Sequence, residues 1–145
     1  RKKYNLAVGE QMVETLKSTL GSAIRTDNTI TQEVRGRDTT NGLPRTIVLH
    51  SNDLIEPISL INKKILEAIK EVLEETPPEL TSDIIDRGMV LSGGGAKLKN
   101  IDKLLTKSIG VPAFVVEEPE LTVAKGLLVT MDNIAIIRKS LKRNN

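Results

Sequence analysis

Cysteine and tryptophan are absent from this 145-residue chain, and histidine, tyrosine and phenylalanine occur once each, as His50, Tyr4 and Phe114. Without cysteine there is no disulfide framework, no thiolate zinc site and no cysteine nucleophile, and a histidine acid or base would have to be His50 itself. Two aromatic side chains cannot supply a row of stacking platforms for single-stranded nucleic acid. Long hydrophobic runs are missing too: a run such as Ile134 to Ile137 is far from the roughly 20 residues that span a bilayer, and no secretory pattern opens the sequence. A reducing cytoplasm is the expected compartment.

What remains is the composition of a soluble globular chain, 39% hydrophobic and 28% charged, long enough for one domain of ordinary size. The formal charge of +2 hides an uneven distribution. Arg1, Lys2 and Lys3 stand at one end and Arg138, Lys139, Lys142 and Arg143 at the other, which leaves the stretch between them acidic in balance. An acidic body with basic ends has no broad phosphate-tracking surface, so nucleic acid is not expected as a partner.

Periodicity divides the chain near Pro57 into units 1–56 and 57–145. Met12, Val13, Leu16 and Leu20 fall at helical spacing from Gly9 onward, with Gly21 at the stop. Ile30, Gln32 and Val34 then alternate with Thr31, Glu33 and Arg35, and Thr46 to Leu49 follow an Asn41-Gly42-Leu43-Pro44 turn, a β-hairpin pattern. Ser51 suits a helix N-cap, and Pro57 suits the first turn of a long helix with Ile58, Ile61, Ile65, Ile69 and Leu73 on one stripe, ending before Pro77 and Pro78. Met89-Val90-Leu91 reads as a strand covered on both faces, Leu98 to Leu105 as a helix closing at Gly110, Ala113 to Val116 as a second strand, and Leu121 to about Lys142 as a last helix. Strand, helix, strand with short connections implies parallel pairing through a right-handed crossover.

Few residues carry chemistry on spacing alone. Ser92-Gly93-Gly94-Gly95 sits where a strand hands over to a helix, which suits either an anion or nucleotide site, with no Cβ in the ligand's way, or simply a tight turn needing positive φ. It is neither a Rossmann fingerprint nor a P-loop. Glu14 and Lys17, three apart on the first helix, read as a surface ion pair or as a carboxylate and an ammonium placed for ribose hydroxyls and a nucleotide edge. His50 reads as a surface or capping residue, and Glu79, Asp83 and Asp86 as a solvated face lacking a calcium-loop pattern. Leu127, Leu128, Met131 and Ile134 on the last helix favour core packing, with Arg138, Lys139, Lys142 and Arg143 complementing its C-terminus; contact with an anionic membrane or a partner is the other use of that basic end.

Longer motifs narrow the field. Lys3-Tyr4-Asn5-Leu6, Gly9-Glu10, Lys17, Gly21-Ser22-Ala23, Glu33 to Asp38 and Gly42-Leu43-Pro44 resemble the second half of MreB, the bacterial actin homologue that shapes cells. The similarity resumes in Pro77-Pro78-Glu79-Leu80, Ser82-Asp83-Ile84, Arg87 to Ala96, Gly110-Val111-Pro112 and Leu121-Thr122-Val123-Ala124, and so runs through nearly the whole chain.

The resemblance implies an α/β, actin-like ATPase fold (ribonuclease H-like) in part. The helix and β-hairpin would form the small subdomain above the nucleotide cleft, and the βαβα unit part of the large subdomain below it. Carried over by motif, Glu14 and Lys17 would face ribose and adenine, and Gly93, Gly94, Gly95 and Ala96 would line the floor beneath the nucleotide, at the C-terminal edge of a parallel sheet. The family's ATP and Mg²⁺, its head-to-tail filaments beneath the membrane and its cell-shape role are implied in the same way. The family's first domain, its phosphate loops and its metal-holding aspartates are not in this sequence, so the chain is expected to be part of a longer protein. By itself it is expected not to hydrolyse ATP and to leave a sheet edge unpaired. The rival expectation is a standalone module that docks on a partner or membrane through the basic C-terminal helix. Sugar kinases and chaperones of related fold match Arg35-Gly36-Arg37-Asp38 poorly.

Overall fold

A computed structural model describes residues 1–134. Arg138, Lys139, Lys142 and Arg143, and the expected end of the last helix, lie outside the described residues.

The first helix, α1 (Glu10–Leu20), follows the short strand β1 (Leu6–Ala7). It turns Leu16 and Leu20 inward and ends at Gly21, whose N–H donates to the Lys17 carbonyl at 3.0 Å. A Cβ at Gly21 would lie 2.2 Å from that oxygen, so glycine is required by close approach. The hairpin strands β2 (Thr31–Asp38) and β3 (Pro44–His50) pair antiparallel with Val34 opposite Ile47, and β1 adds on the far edge of β2. Asp38 closes the turn: its carboxylate accepts the Thr40 N–H at 2.8 Å and an Arg45 guanidinium N–H at 3.0 Å, which hold its pKa below the ordinary value. Leu6, Leu16, Leu20, Val34 and Leu49 make one core, each burial contributing roughly 1.5–3 kcal/mol.

The entry to the long helix α2 (Ile55–Glu75) differs from expectation. It begins two residues before Pro57, and the proline costs no hydrogen bond because N–H groups of the first turn have no intrahelical acceptor. Ser51 is not its cap; it opens a 3₁₀ turn over Ser51–Leu54, is buried, and accepts the Ile30 N–H at 3.2 Å. The cap of that turn is His50, as expected of a surface or capping residue, with its N–H bound to the Asp53 carboxylate at 2.9 Å. After the proline pair a further helix, α3 (Pro78–Arg87), has Pro78 in its first turn and leaves Glu79, Asp83 and Asp86 exposed.

Strands β4 (Met89–Leu91) and β5 (Ala113–Val115) pair parallel, joined by α4 (Ile101–Ile109). One face of this two-stranded sheet, through Met89, Leu91 and Ala113, joins a second core with Ile101, Leu105 and Ala23. The other face is uncovered: Val90 is 68% and Phe114 55% exposed. The unbroken apolar run therefore marks a strand with only one face packed against these residues. The last helix, α5 (Thr122–Asp132), departs from the core-packing expectation as well, with Leu127, Leu128 and Met131 all exposed and no buried residue.

Candidate functional site

The site builds outward from the end of β4. Beyond Leu91 the chain turns at Gly93, which has φ +82° and donates its N–H to the Pro119 carbonyl at 2.7 Å. A 3₁₀ turn over Gly94–Lys97 follows. Pro119 is buried in its own short turn, and the Lys97 ammonium meets Glu120 at 2.7 Å, which holds the Glu120 pKa down. The glycine turn is thus braced from one side. On the other it is open: a Cβ added at Gly93, Gly94 or Gly95 would meet no atom within 4 Å. Among the described residues the Gly94 and Gly95 N–H groups have no protein acceptor. Ala96 is buried, so its methyl belongs to the packing and only its backbone is offered.

Glu14 and Lys17 stand on the exposed side of α1, paired at 3.0 Å, with 69% and 60% of their side-chain surfaces open. A pair this exposed adds little to stability, and both groups are accessible to a ligand. No hydrogen bond among the described residues joins them to Gly93–Ala96. The two groups are linked through their neighbours. The Thr19 carbonyl, two residues beyond Lys17, accepts the Lys99 ammonium at 2.5 Å, and Ser22 and Lys99 form a parallel bridge in which the Ala23 N–H donates to the Lys99 carbonyl at 2.8 Å. The wall of α1 is therefore tied to the segment that directly follows the glycine turn.

Two residues of this tie, Lys99 and Asn100, have no place in the sequence reading, and Ser22 enters it only as part of the Gly21-Ser22-Ala23 motif. Asn100 is left-handed at φ +60° and sends its amide to Ser22 Oγ at 3.1 Å. Its position just before an apolar helix was the available signal, since asparagine tolerates that conformation better than most residues.

The MreB/Mbl protein family model matches residues 1–139. The chain belongs to the MreB/Mbl family. It is 42% identical over 134 residues to the cell shape-determining protein Mbl of Bacillus cereus, covering 92% of this chain and 40% of that protein. Against the cell shape-determining protein MreB of Escherichia coli K12 it is 44% identical over 126 residues, 87% of this chain and 36% of that one. The crystal structure of MreB5 of Spiroplasma citri bound to ADP matches with a TM-score of 0.89 at 31% identity, over 92% of this chain and 41% of its own. The AMPPNP-bound form of the same protein gives 0.89 at 30%, over 100% and 43%. A MamK double helical filament, at TM-score 0.61 and 15% identity over 82% of this chain and 36% of its own, shares the fold. The chain thus has the actin-like α/β fold of MreB in part, and spans about two fifths of the length of the relatives it matches.

Proposed function

We propose that this chain is the nucleotide-cleft and filament-forming half of an MreB-type cytoskeletal protein that binds ATP between its domains, polymerises in the cytoplasm and sets cell shape. The observation that carries the reading is the open glycine turn at the C-terminal edge of parallel strands, tied to an α1 that presents Glu14 and Lys17. The residues fit the nucleoside end of a nucleotide. A carboxylate accepts from the paired ribose hydroxyls, an ammonium donates to hydroxyl or ring acceptors, and side-chain-free backbone at Gly93–Gly95 makes a floor on which a flat or anionic group can rest. ATP would supply the γ-phosphoryl group whose hydrolysis drives subunit turnover. Mg²⁺ and the phosphate chemistry are left to the phosphate loops and aspartates that the family resemblance places outside this sequence. Filament contacts are assigned to the exposed apolar residues around the hairpin, Ile30, Leu43 and Val48.

Calorimetric titration of ADP into the complete gene product tests the nucleotide site. Glu14→Ala and Lys17→Ala should each weaken binding by about 1 to 3 kcal/mol, as for a lost charge-assisted hydrogen bond. Parental affinity in both variants would refute the assignment.

A second reading, attachment to the inner membrane face or to cell-shape partners, is favoured by one feature: α5 presents Leu127, Leu128 and Met131 as exposed apolar residues, with Ile134 exposed just beyond it, and Arg138, Lys139, Lys142 and Arg143 come later in the sequence. Replacing those four cations should abolish salt-sensitive binding to anionic vesicles if these residues dock on lipid; unchanged binding removes this reading.

A further inference from the structure

The two hydrophobic cores do not merge. From the first segment only Ala23 enters the second core, with Leu98 resting near Gly21. Helix α2 also joins them, starting next to Leu54 of the first core and packing Leu66 and Ile69 on the second; the rest of the direct hold is polar. Among the described residues, every hydrogen bond that joins residues 1–54 to residues 88–134 runs through Lys99 or Asn100. The Lys99 ammonium takes the Thr19 carbonyl, which lies in the last turn of α1 and lacks an intrahelical partner, since the Ala23 N–H is bound to the Lys99 carbonyl instead. A cation at a helix C-terminus also complements its dipole. Asn100 adds the bond to Ser22 Oγ. Beside this latch lies a cavity of about 330 Å³, lined by Leu20, Ser22, Ile30, Ser51, Lys99 and Asn100. Leu16 and Leu20 pack α1 into the first core, and the latch is the tie that its end makes toward the second.

We propose that Lys99, assisted by Asn100, is a positioning residue of the nucleotide site: it fixes the end of α1 against the segment following the glycine turn and so sets the gap between Glu14–Lys17 and Gly93–Ala96. The inference rests on reading those two groups as walls of one nucleotide site. Lys17 lies two residues before the latched carbonyl and Gly95 four residues before Lys99, so a shift at the latch moves one wall against the other with little flexible chain between them.

The test is ADP affinity by calorimetry in the complete gene product. Lys99→Met, which keeps the length and removes the donor, should weaken ADP binding about three- to tenfold. Lys99→Arg, which keeps a cation within reach, should restore it to within about twofold of the parent. In a Glu14→Ala background the Lys99→Met loss should shrink markedly, because a lever has no effect once its load is gone. Asn100→Gly keeps the left-handed conformation without the amide and should act in the same direction. Parental affinity in both Lys99→Met and Asn100→Gly, beside a weakened Glu14→Ala, overturns the latch and leaves the site standing. A Lys99→Met loss that adds in full to that of Glu14→Ala also overturns it, since Lys99 then acts independently of α1. Parental affinity in both Glu14→Ala and Lys17→Ala overturns the site and the latch together.

Discussion

Single residues in this chain are held by charge more than by aromatic bulk. Asp53 receives the Lys3 ammonium at 2.5 Å and the His50 N–H at 2.9 Å, and Lys3 also lies 5.3 Å from the Tyr4 ring centre. The Lys3 bond above all, with the His50 N–H and Tyr4 assisting, brings the Asp53 pKa down from 3.8 to about 2. A carboxylate depressed in the folded state adds stability that is fully present above its unfolded pKa and is lost as pH falls through the folded one. Resistance to denaturant should therefore fall between about pH 4 and pH 2, and Asp53→Asn should flatten part of that fall, read from urea midpoints at pH 5 and pH 2.5. An unchanged pH dependence in the variant would show that Asp53 is not held this way. Gly88 is fixed by geometry: at φ +81° a Cβ would sit 2.6 Å from the Phe114 ring and 2.7 Å from the Pro112 carbonyl, so Gly88→Ala should lower the melting temperature. At this scale the sequence was legible where a residue type has one common use, as in the stop at Gly21. Glu14 and Lys17 could not be distinguished from an ordinary surface pair without the family motif around them. Lys99 left no local trace because its partner, Thr19, is 80 residues away.

Elements were legible to the extent that their pattern is local. Helix α1 and strand β2 appear in the structure with Leu16, Leu20 and Val34 turned inward, whereas Val13 and Ile30, read on the same faces, are exposed; the parallel β4–α4–β5 unit appears as read. Two elements were not. Strand β1 has only two residues and exists through pairing with Arg37 and Asp38, far along the chain, so no periodicity can reveal it. Helix α3 follows directly on a proline pair that reads as a breaker, whereas Pro78 in fact starts a helix, where its fixed φ is an advantage. The exposed Val90 and the apolar residues of α5 were misread because an apolar run reports that a strand or helix can be covered, not which chain covers it. The packing that the pattern did identify carries a firm prediction. Leu20 is 2% exposed at the centre of the first core, and Leu20→Ala should cost about 2–5 kcal/mol of unfolding free energy in a denaturant titration. A loss below about 1 kcal/mol would mean that this core relaxes around the cavity.

At the scale of the whole molecule, two small cores meet at one polar latch, with a glycine turn on one side of it and a charged helix face on the other. That arrangement suits a site that must hold a ligand between units rather than inside one. The turn, the strand edge and the helix were each legible in sequence, but the ties between helix and turn were not, because they run through contacts of Ser22, Lys99 and Asn100 that span most of the chain. The most direct measurement is a structure of the complete protein with ADP. The account predicts the ribose within hydrogen-bond distance of Glu14 and Lys17, and the nucleotide resting on Gly93–Gly95. A nucleotide bound elsewhere, with α1 and the glycine turn both empty, would contradict it.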